Sequence, residues 1–210
     1  MIVHQYGLVY TRVTEADLEL LRYWRNQDFI RETMQFQEYI TPIMQKKWFE
    51  KINNKYNYYM IIEHDGKKVG LINCKNADNK GNVAEGGIFI WDKNYFGTSV
   101  PVFAALTMLE AVFEVFKSGD TSIATVLKSN KSALEFNRKL GYRMYEEDEK
   151  IFRLVLTLED YFSKTIKLKK AACSMVGKEK SEFKVFAEPS DLLDEHINQY
   201  LLSNNRQSFK

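Results

Sequence analysis

Few residues of this chain combine a reactive type with a spacing that chemistry needs. The histidines His4, His64 and His196 stand far apart, and none has a partner at ligand spacing, so no metal is expected. Cys74 and Cys173 form neither a metal-like pair nor a disulfide framework, which points to a reducing cytoplasm. Cys74, near the end of an apolar run, reads as a small hydrophobe before it reads as a nucleophile. That leaves Glu85, beside Gly86-Gly87 in the run VAEGGIFIW. An ammonium must lose a proton before its nitrogen attacks a carbonyl carbon, and a carboxylate can take that proton directly or through water. The same carboxylate also suits a solvated position or a structural ion pair. Gly97 precedes a long apolar stretch. A loop that enters a helix offers an anion unpaired backbone N–H groups and the positive end of the helix dipole. A plain loop glycine before a core helix would look the same.

These groups need a frame. Tyr6–Val13 alternates and predicts a strand. Thr14 to Asp17 has the form of a capping box, and Leu18, Leu21 and Trp24 follow at helical spacing. Residues 25–38 are polar and weakly periodic, between helix and loop. Thr41-Pro42 starts a second helix, carrying Met44, Trp48 and Ile52 to about Asn53. Residues 58–63 and 68–74 predict a hairpin about Asp65-Gly66, and 78–81 a second turn. Val83–Trp91 predicts a central buried strand whose paired glycines mark a bulge or a close backbone approach. Val102, Leu106, Leu109, Phe113 and Phe116 define an amphipathic helix, ended by Gly119-Asp120. Residues 123–127 predict a strand. Ser129 or Asn130 caps the next helix, with Ala133, Phe136 and Leu140 inward and Gly141 at its C′ position. Two strands follow, over 142–145 and 151–156. The order predicts an α/β (mixed α+β) fold: one mixed sheet of about seven strands with helices on both faces. Residues 158–172 and 189–202 predict a helical C-terminal extension with a lysine-rich face of Lys164, Lys167, Lys169 and Lys170. The chain is thus expected to divide into 1–157 and 158–210.

Composition bounds the partners. With 210 residues, 45% of them hydrophobic, the chain can bury one sizeable core. Thirty basic residues against 28 acidic ones leave a net charge of +2, so electrostatics alone argues for neither nucleic acid nor an anionic membrane. The N-terminal segment is too polar for a signal peptide, and no stretch approaches the ~20 apolar residues of a membrane span.

Three segments resemble the GNAT superfamily of acyl-CoA-dependent N-acyltransferases. Ala84–Trp91 (AEGGIFIW) is similar to that family's central fourth strand. Tyr95–Phe113 (YFGTSVPVFAALTMLEAVF) is similar to its pyrophosphate loop and the helix after it. Asn130–Tyr142 (NKSALEFNRKLGY) is close to its pattern N-x-x-A-x-x-x-Y-x-x-x-G-F. With Trp24-Arg25-Asn26 and the helix around Gln45–Phe49, the likeness reaches the branch of ribosomal-protein and nucleotide-amino-sugar N-acetyltransferases and spans residues 6–157.

The resemblance implies acetyl-CoA as co-substrate. It implies a splay between the fourth and fifth strands, where pantetheine pairs with the backbone of Ile88, Phe89 and Ile90. It also implies a pyrophosphate cradle at Phe96, Gly97, Thr98, Ser99 and Val100. This loop departs from the family's Gln/Arg-x-x-Gly-x-Gly/Ala. One register keeps Asn94, Gly97 and Ser99; the other, 96–101, sets Ser99 and Pro101 at glycine positions, and proline has no N–H for an anion. Asn137 stands where many relatives carry the tyrosine that protonates the leaving thiolate. An amide cannot be a general acid, so Tyr142 or Tyr145 becomes the candidate donor, against the alternative of a core tyrosine with a bonded hydroxyl. Asn130 lies beside pantetheine in the family. The expected catalytic residues are Glu85 as base, Tyr142 and Asn130; Asn130 and Asn137 join the cofactor contacts. The acceptor is expected at Trp24, Arg25, Asn26 and Phe36, with Arg31, Met34, Gln35 and Glu38 nearby. Arginine suits a diphosphate and an aromatic ring suits a base or sugar face.

The expected activity is direct transfer of acetyl from acetyl-CoA to a primary amine on a small molecule. A nucleotide-linked amino sugar comes first and a protein N-terminal amine second, with a noncatalytic GNAT-like binding module as the rival. A homodimer is compatible with all three.

Overall fold

The computed structural model describes residues 1–76, 83–188 and 190–205. The predicted first strand is two strands, β1 (Ile2–Gln5) and β2 (Leu8–Arg12), reversed through Tyr6-Gly7. Both turn residues are left-handed, with φ of 54° and 76°, as a tight hairpin requires. Tyrosine is a poor turn residue, so local pattern hides this turn. Burial holds it: the Tyr6 ring stacks on Phe103 at 5.3 Å and its hydroxyl donates to Glu110.

The capping box forms, with the Thr14 N–H and hydroxyl both donating to the Asp17 carboxylate at 2.9 Å. One tight turn then leads into α1 (Leu18–Arg25), followed by α2 (Asp28–Arg31) and α3 (Pro42–Ile52). β3 (Asn57–His64) and β4 (Lys67–Asn76) form the expected hairpin, with Asp65 and Gly66 left-handed. The turn expected at 78–81 falls outside the described residues. β5 (Val83–Ile90) keeps an unbroken register with β4 through Gly86 and Gly87, so the paired glycines mark no bulge.

α4 (Val100–Glu110) runs into a π-helical turn, Ala111–Val115, and ends before Gly119 at left-handed Lys117. β6 (Thr121–Leu127), α5 (Lys131–Leu140), β7 (Arg143–Glu147) and β8 (Ile151–Thr157) follow. Asn130, not Ser129, caps α5 by accepting the Ala133 N–H at 3.0 Å, and Gly141 closes it at φ 107°.

The extension holds α6 (Leu158–Asp160), a second π-helical turn (Tyr161–Thr165), α7 (Ile166–Val176), α8 (Lys178–Ser181), β9 (Lys184–Phe186) and α9 (Glu195–Asn205). It is therefore not wholly helical. The sheet has nine strands in the order β7-β8-β6-β5-β4-β3-β2-β1-β9. The split first hairpin and β9 raise the count above the expected seven.

Helices cover both faces, as predicted. α1 to α3 pack over Ile61, Leu71 and Trp91. α4, α5 and α7 pack on the other face. The stripe on α4 predicts one wet side, yet Phe103 to Thr107 are all buried in succession, because the extension covers that side. Lys169 of the lysine-rich face turns inward for the same reason, lying 3.2 Å from Glu110 and 2.7 Å from Glu114, while Tyr161 also donates to Glu114.

Candidate active site

Among the described residues one strand pair is parallel, β5 with β6, and it is short. Val83, Ala84 and Glu85 pair with Thr121, Ser122 and Ile123. β5 continues to Ile90 and β6 to Leu127, but the pairing ends at Glu85. On its other edge β5 stays bonded to β4 as far as Ile90. Between Gly86 and Ile90, alternate N–H and C=O groups therefore face a gap inside the sheet. Such an edge can bond an extended ligand as an added strand. Ile88, Phe89 and Ile90 all lie on it. Ile88 and Ile90 pack toward α4, and Phe89 toward α1.

At the head of the gap, on the α4 face, sits Gly86. A Cβ there would lie 3.9 Å from the Ser122 Oγ and from the Tyr142 hydroxyl. These two hydroxyls are 2.7 Å apart. Burial pushes the Tyr142 phenol well above the usual tyrosine range, and the Ser122 bond offsets this only in part. The phenol thus stays protonated and can donate a hydrogen bond. Tyr145 is exposed on β7, with β8 and β6 between it and β5. Cys74, opposite Gly86, is half-buried against the core, and desolvation pushes its thiol up to about 12, as expected of a small hydrophobe.

On the α1 face the head of the gap is polar. Glu85 lies opposite Lys75, 2.9 Å from its ammonium. Tyr59, Asn73 and Gly87 are cross-strand neighbours. A Cβ on Gly87 would lie 2.8 Å from the Asn73 Oδ1, closer than real side chains allow, so the paired glycines admit a side-chain amide and not the close backbone approach expected of them. Burial raises the Tyr59 pKa, helped by Glu85.

Beyond β5, Asp92 caps a single turn over Lys93–Tyr95 by accepting the Asn94 N–H at 3.0 Å. The Tyr95 carbonyl accepts from the Thr98 N–H at 3.3 Å and its hydroxyl at 2.8 Å, and the Thr98 Oγ1 accepts the Val100 N–H at 3.3 Å. The Phe96 N–H is held by Lys93. Of the five expected cradle residues, Phe96, Thr98 and Val100 thus spend their N–H groups inside the loop. Among the described residues, the N–H groups of Gly97, Ser99 and Val102 remain for an anion at the head of α4. Gly97, at φ 74°, is where the loop needs a glycine. His64 braces the loop through the Tyr95 hydroxyl at 3.3 Å.

The expected acceptor residues divide. Trp24 stacks on Trp91 at 6.1 Å and is part of the core edge. Asn26 spends its amide on both backbone groups of Ile40, at 2.9 and 2.8 Å. Phe36 is exposed, and Arg31 is tied to Asp28 at 2.5 Å. Arg25 differs. Its guanidinium lies over Phe89 at 5.8 Å, and its Nη1 is buried with no hydrogen-bond partner among the described residues. Burial lowers its pKa. A buried N–H without a partner is costly and calls for an explanation. The two α5 asparagines are committed within their helix, Asn130 to its cap and Asn137 to the Ala133 carbonyl at 2.8 Å.

Sequence reasoning missed Ser122 and Asn73. Asn73 carried a faint signal, as a polar residue inside the apolar run GLINC. Ser122 carried none. Among the described residues no group of His, Cys, Asp and Glu could hold a metal ion, and no helix is long and apolar enough to cross a membrane.

The model of the acetyltransferase (GNAT) domain family matches residues 8–143. No curated protein matches in sequence. Solved structures share the fold. FdhC, described as a nucleotide-linked sugar GNAT, is 20% identical with a TM-score of 0.65, over 84% of this chain and 99% of its own. A spermidine N-acetyltransferase from Vibrio cholerae, in complex with CoA and spermine, is 14% identical with a TM-score of 0.64, over 74% and 98%. The Campylobacter jejuni N-acetyltransferase PseH, in complex with acetyl coenzyme A, is 19% identical with a TM-score of 0.54, over 71% and 98%.

Proposed function

Because the chain belongs to the GNAT acetyltransferase family, we propose that it transfers acetyl from acetyl-CoA to the primary amine of a nucleotide-linked amino sugar in the cytoplasm. The amine nitrogen attacks the thioester carbonyl carbon, an amide bond forms, and the C–S bond breaks. The β5 edge holds the pantetheine arm, and the N–H groups of Gly97, Ser99 and Val102 receive the pyrophosphate. Holding amine and thioester together supplies much of the rate. Glu85, once it releases Lys75, takes the ammonium's proton directly or through water. The protonated Tyr142 phenol, held by Ser122, stabilises the departing thiolate as a hydrogen-bond donor, and the second proton, lost by nitrogen as the amide forms, reaches the sulfur through water.

The observation that carries the acceptor class is Arg25, a buried guanidinium N–H that a phosphate on the acceptor would satisfy. FdhC supports the same class, as a nucleotide-linked sugar GNAT of similar fold. Calorimetric titration with acetyl-CoA, with desulfo-CoA for comparison, is the first test. We expect saturable micromolar binding. A folded protein that binds neither at millimolar ligand would end the enzyme reading and leave a noncatalytic module.

A further inference from the structure

We infer that Asn73 positions the attacking amine. The inference rests on the acetyl-transfer reading above. Asn73 lies on β4 between Tyr59 on β3 and Gly87 on β5, on the sheet face covered by α1 to α3. Its carboxamide reaches across to β5: the Oδ1, Cγ and Nδ2 stand 2.8, 3.5 and 3.6 Å from where a Gly87 Cβ would be. Any side chain at 87 would displace that amide, so Gly87 and Asn73 form a matched pair. The contact falls two residues past Glu85, the last β5 residue paired with β6. The carboxamide oxygen thus lies over β5 at Gly87, next to the head of the gap, where the acyl end of a ligand bonded along the β5 edge would lie.

Three features give this position its chemistry. A carboxamide oxygen accepts from an amine or ammonium N–H without itself titrating. Glu85, on the same face of β5, lies beside it to receive the proton. Arg25, over Phe89, lies on the other side, so an acceptor could present an anion to Arg25 and its amine to Asn73. Asn73 is partly exposed, as a substrate contact must be. It is a positioning residue: it aims the nitrogen, and Glu85 takes the proton.

The test compares Asn73→Ala, Asn73→Asp and Gly87→Ala with wild type. Acetyl-CoA affinity is read by calorimetry, and steady-state kinetics use UDP-glucosamine and, separately, methylamine, a bare amine that needs no other recognition. A hydrogen bond to a charged group is worth about 1.5–3 kcal/mol, or roughly 10- to 150-fold. We expect Asn73→Ala and Gly87→Ala to lower kcat/KM for the amine by roughly that factor, with acetyl-CoA affinity within twofold of wild type. Asn73→Asp keeps the oxygen and should recover most of the loss. An Asn73→Ala enzyme within twofold of wild type overturns the inference. So does a parallel loss of acetyl-CoA affinity and melting temperature, which would make Asn73 a packing residue, and so does a wild type that binds acetyl-CoA yet acetylates neither amine. Failure of wild type to bind acetyl-CoA strikes the acetyl-transfer reading itself.

Discussion

Arg25 is the residue whose energetics and proposed role pull in opposite directions. A guanidinium held at the core edge, with a buried N–H unsatisfied, costs stability of about 1–3 kcal/mol that only a ligand returns. Met in its place keeps the stem's packing and loses a cation–π contact of about 0.5–1 kcal/mol. Arg25→Met is therefore expected to melt within a few degrees of wild type or above it, while kcat/KM for UDP-glucosamine falls at least tenfold and acetyl-CoA affinity holds. A clear drop in melting temperature would mark Arg25 as structural. The residue type and its neighbourhood were legible in Trp24-Arg25-Asn26, but the fates of the three were not. Trp24 is taken by Trp91, distant in the chain, and Asn26 by Ile40, across the loop between α2 and α3.

The helix that carries Arg25 begins at a cap readable from four residues. Asp17 accepts from Thr14 twice and from Lys68 at 2.7 Å. Burial alone would raise its pKa, but the Lys68 and Thr14 bonds outweigh burial and hold the carboxyl below the usual range. A carboxyl with a depressed folded pKa stabilises the fold fully above its unfolded pKa, about 3.9, and loses that contribution as pH falls through the folded value. Asp17→Asn should cost about 1–2 kcal/mol at neutral pH. In denaturant titrations the gap from wild type should close as pH falls below about 4. A gap that persists unchanged at low pH would show that shape, not charge, sets the cap's worth. The loop before α4 makes a similar point about local legibility. Gly97 could be read from the sequence, but the consumption of three N–H groups inside the loop depends on how Tyr95 and Thr98 turn.

At the scale of the molecule, the described residues after 157 share the sheet and core of those before it. Tyr161, Ala172 and Ile197 are buried, β9 pairs with β1, and Lys169 neutralises Glu110 of α4 and Glu114 of the π-helical turn after it. Removing them would bare α4 and leave Glu110 and Glu114 without their ammonium, a loss of several kcal/mol against a total of about 5–15. We therefore expect the full chain to unfold in one transition and a 1–157 fragment to show no cooperative melt by circular dichroism. A fragment that melts cooperatively and binds acetyl-CoA would show the extension to be an appendage. The sequence by itself determined the order and kind of most elements, their caps and the Asp65-Gly66 turn. These rest on contacts within a few residues and on periods of 2 and 3.6, which composition and spacing express directly. Tertiary structure alone decided that Tyr6 would turn a hairpin, that α4 would lose its wet face, and that Ser122 would meet Tyr142 and Asn73 would cross Gly87. Each of those depends on strand register and on packing between residues distant in the chain, and no local pattern encodes either.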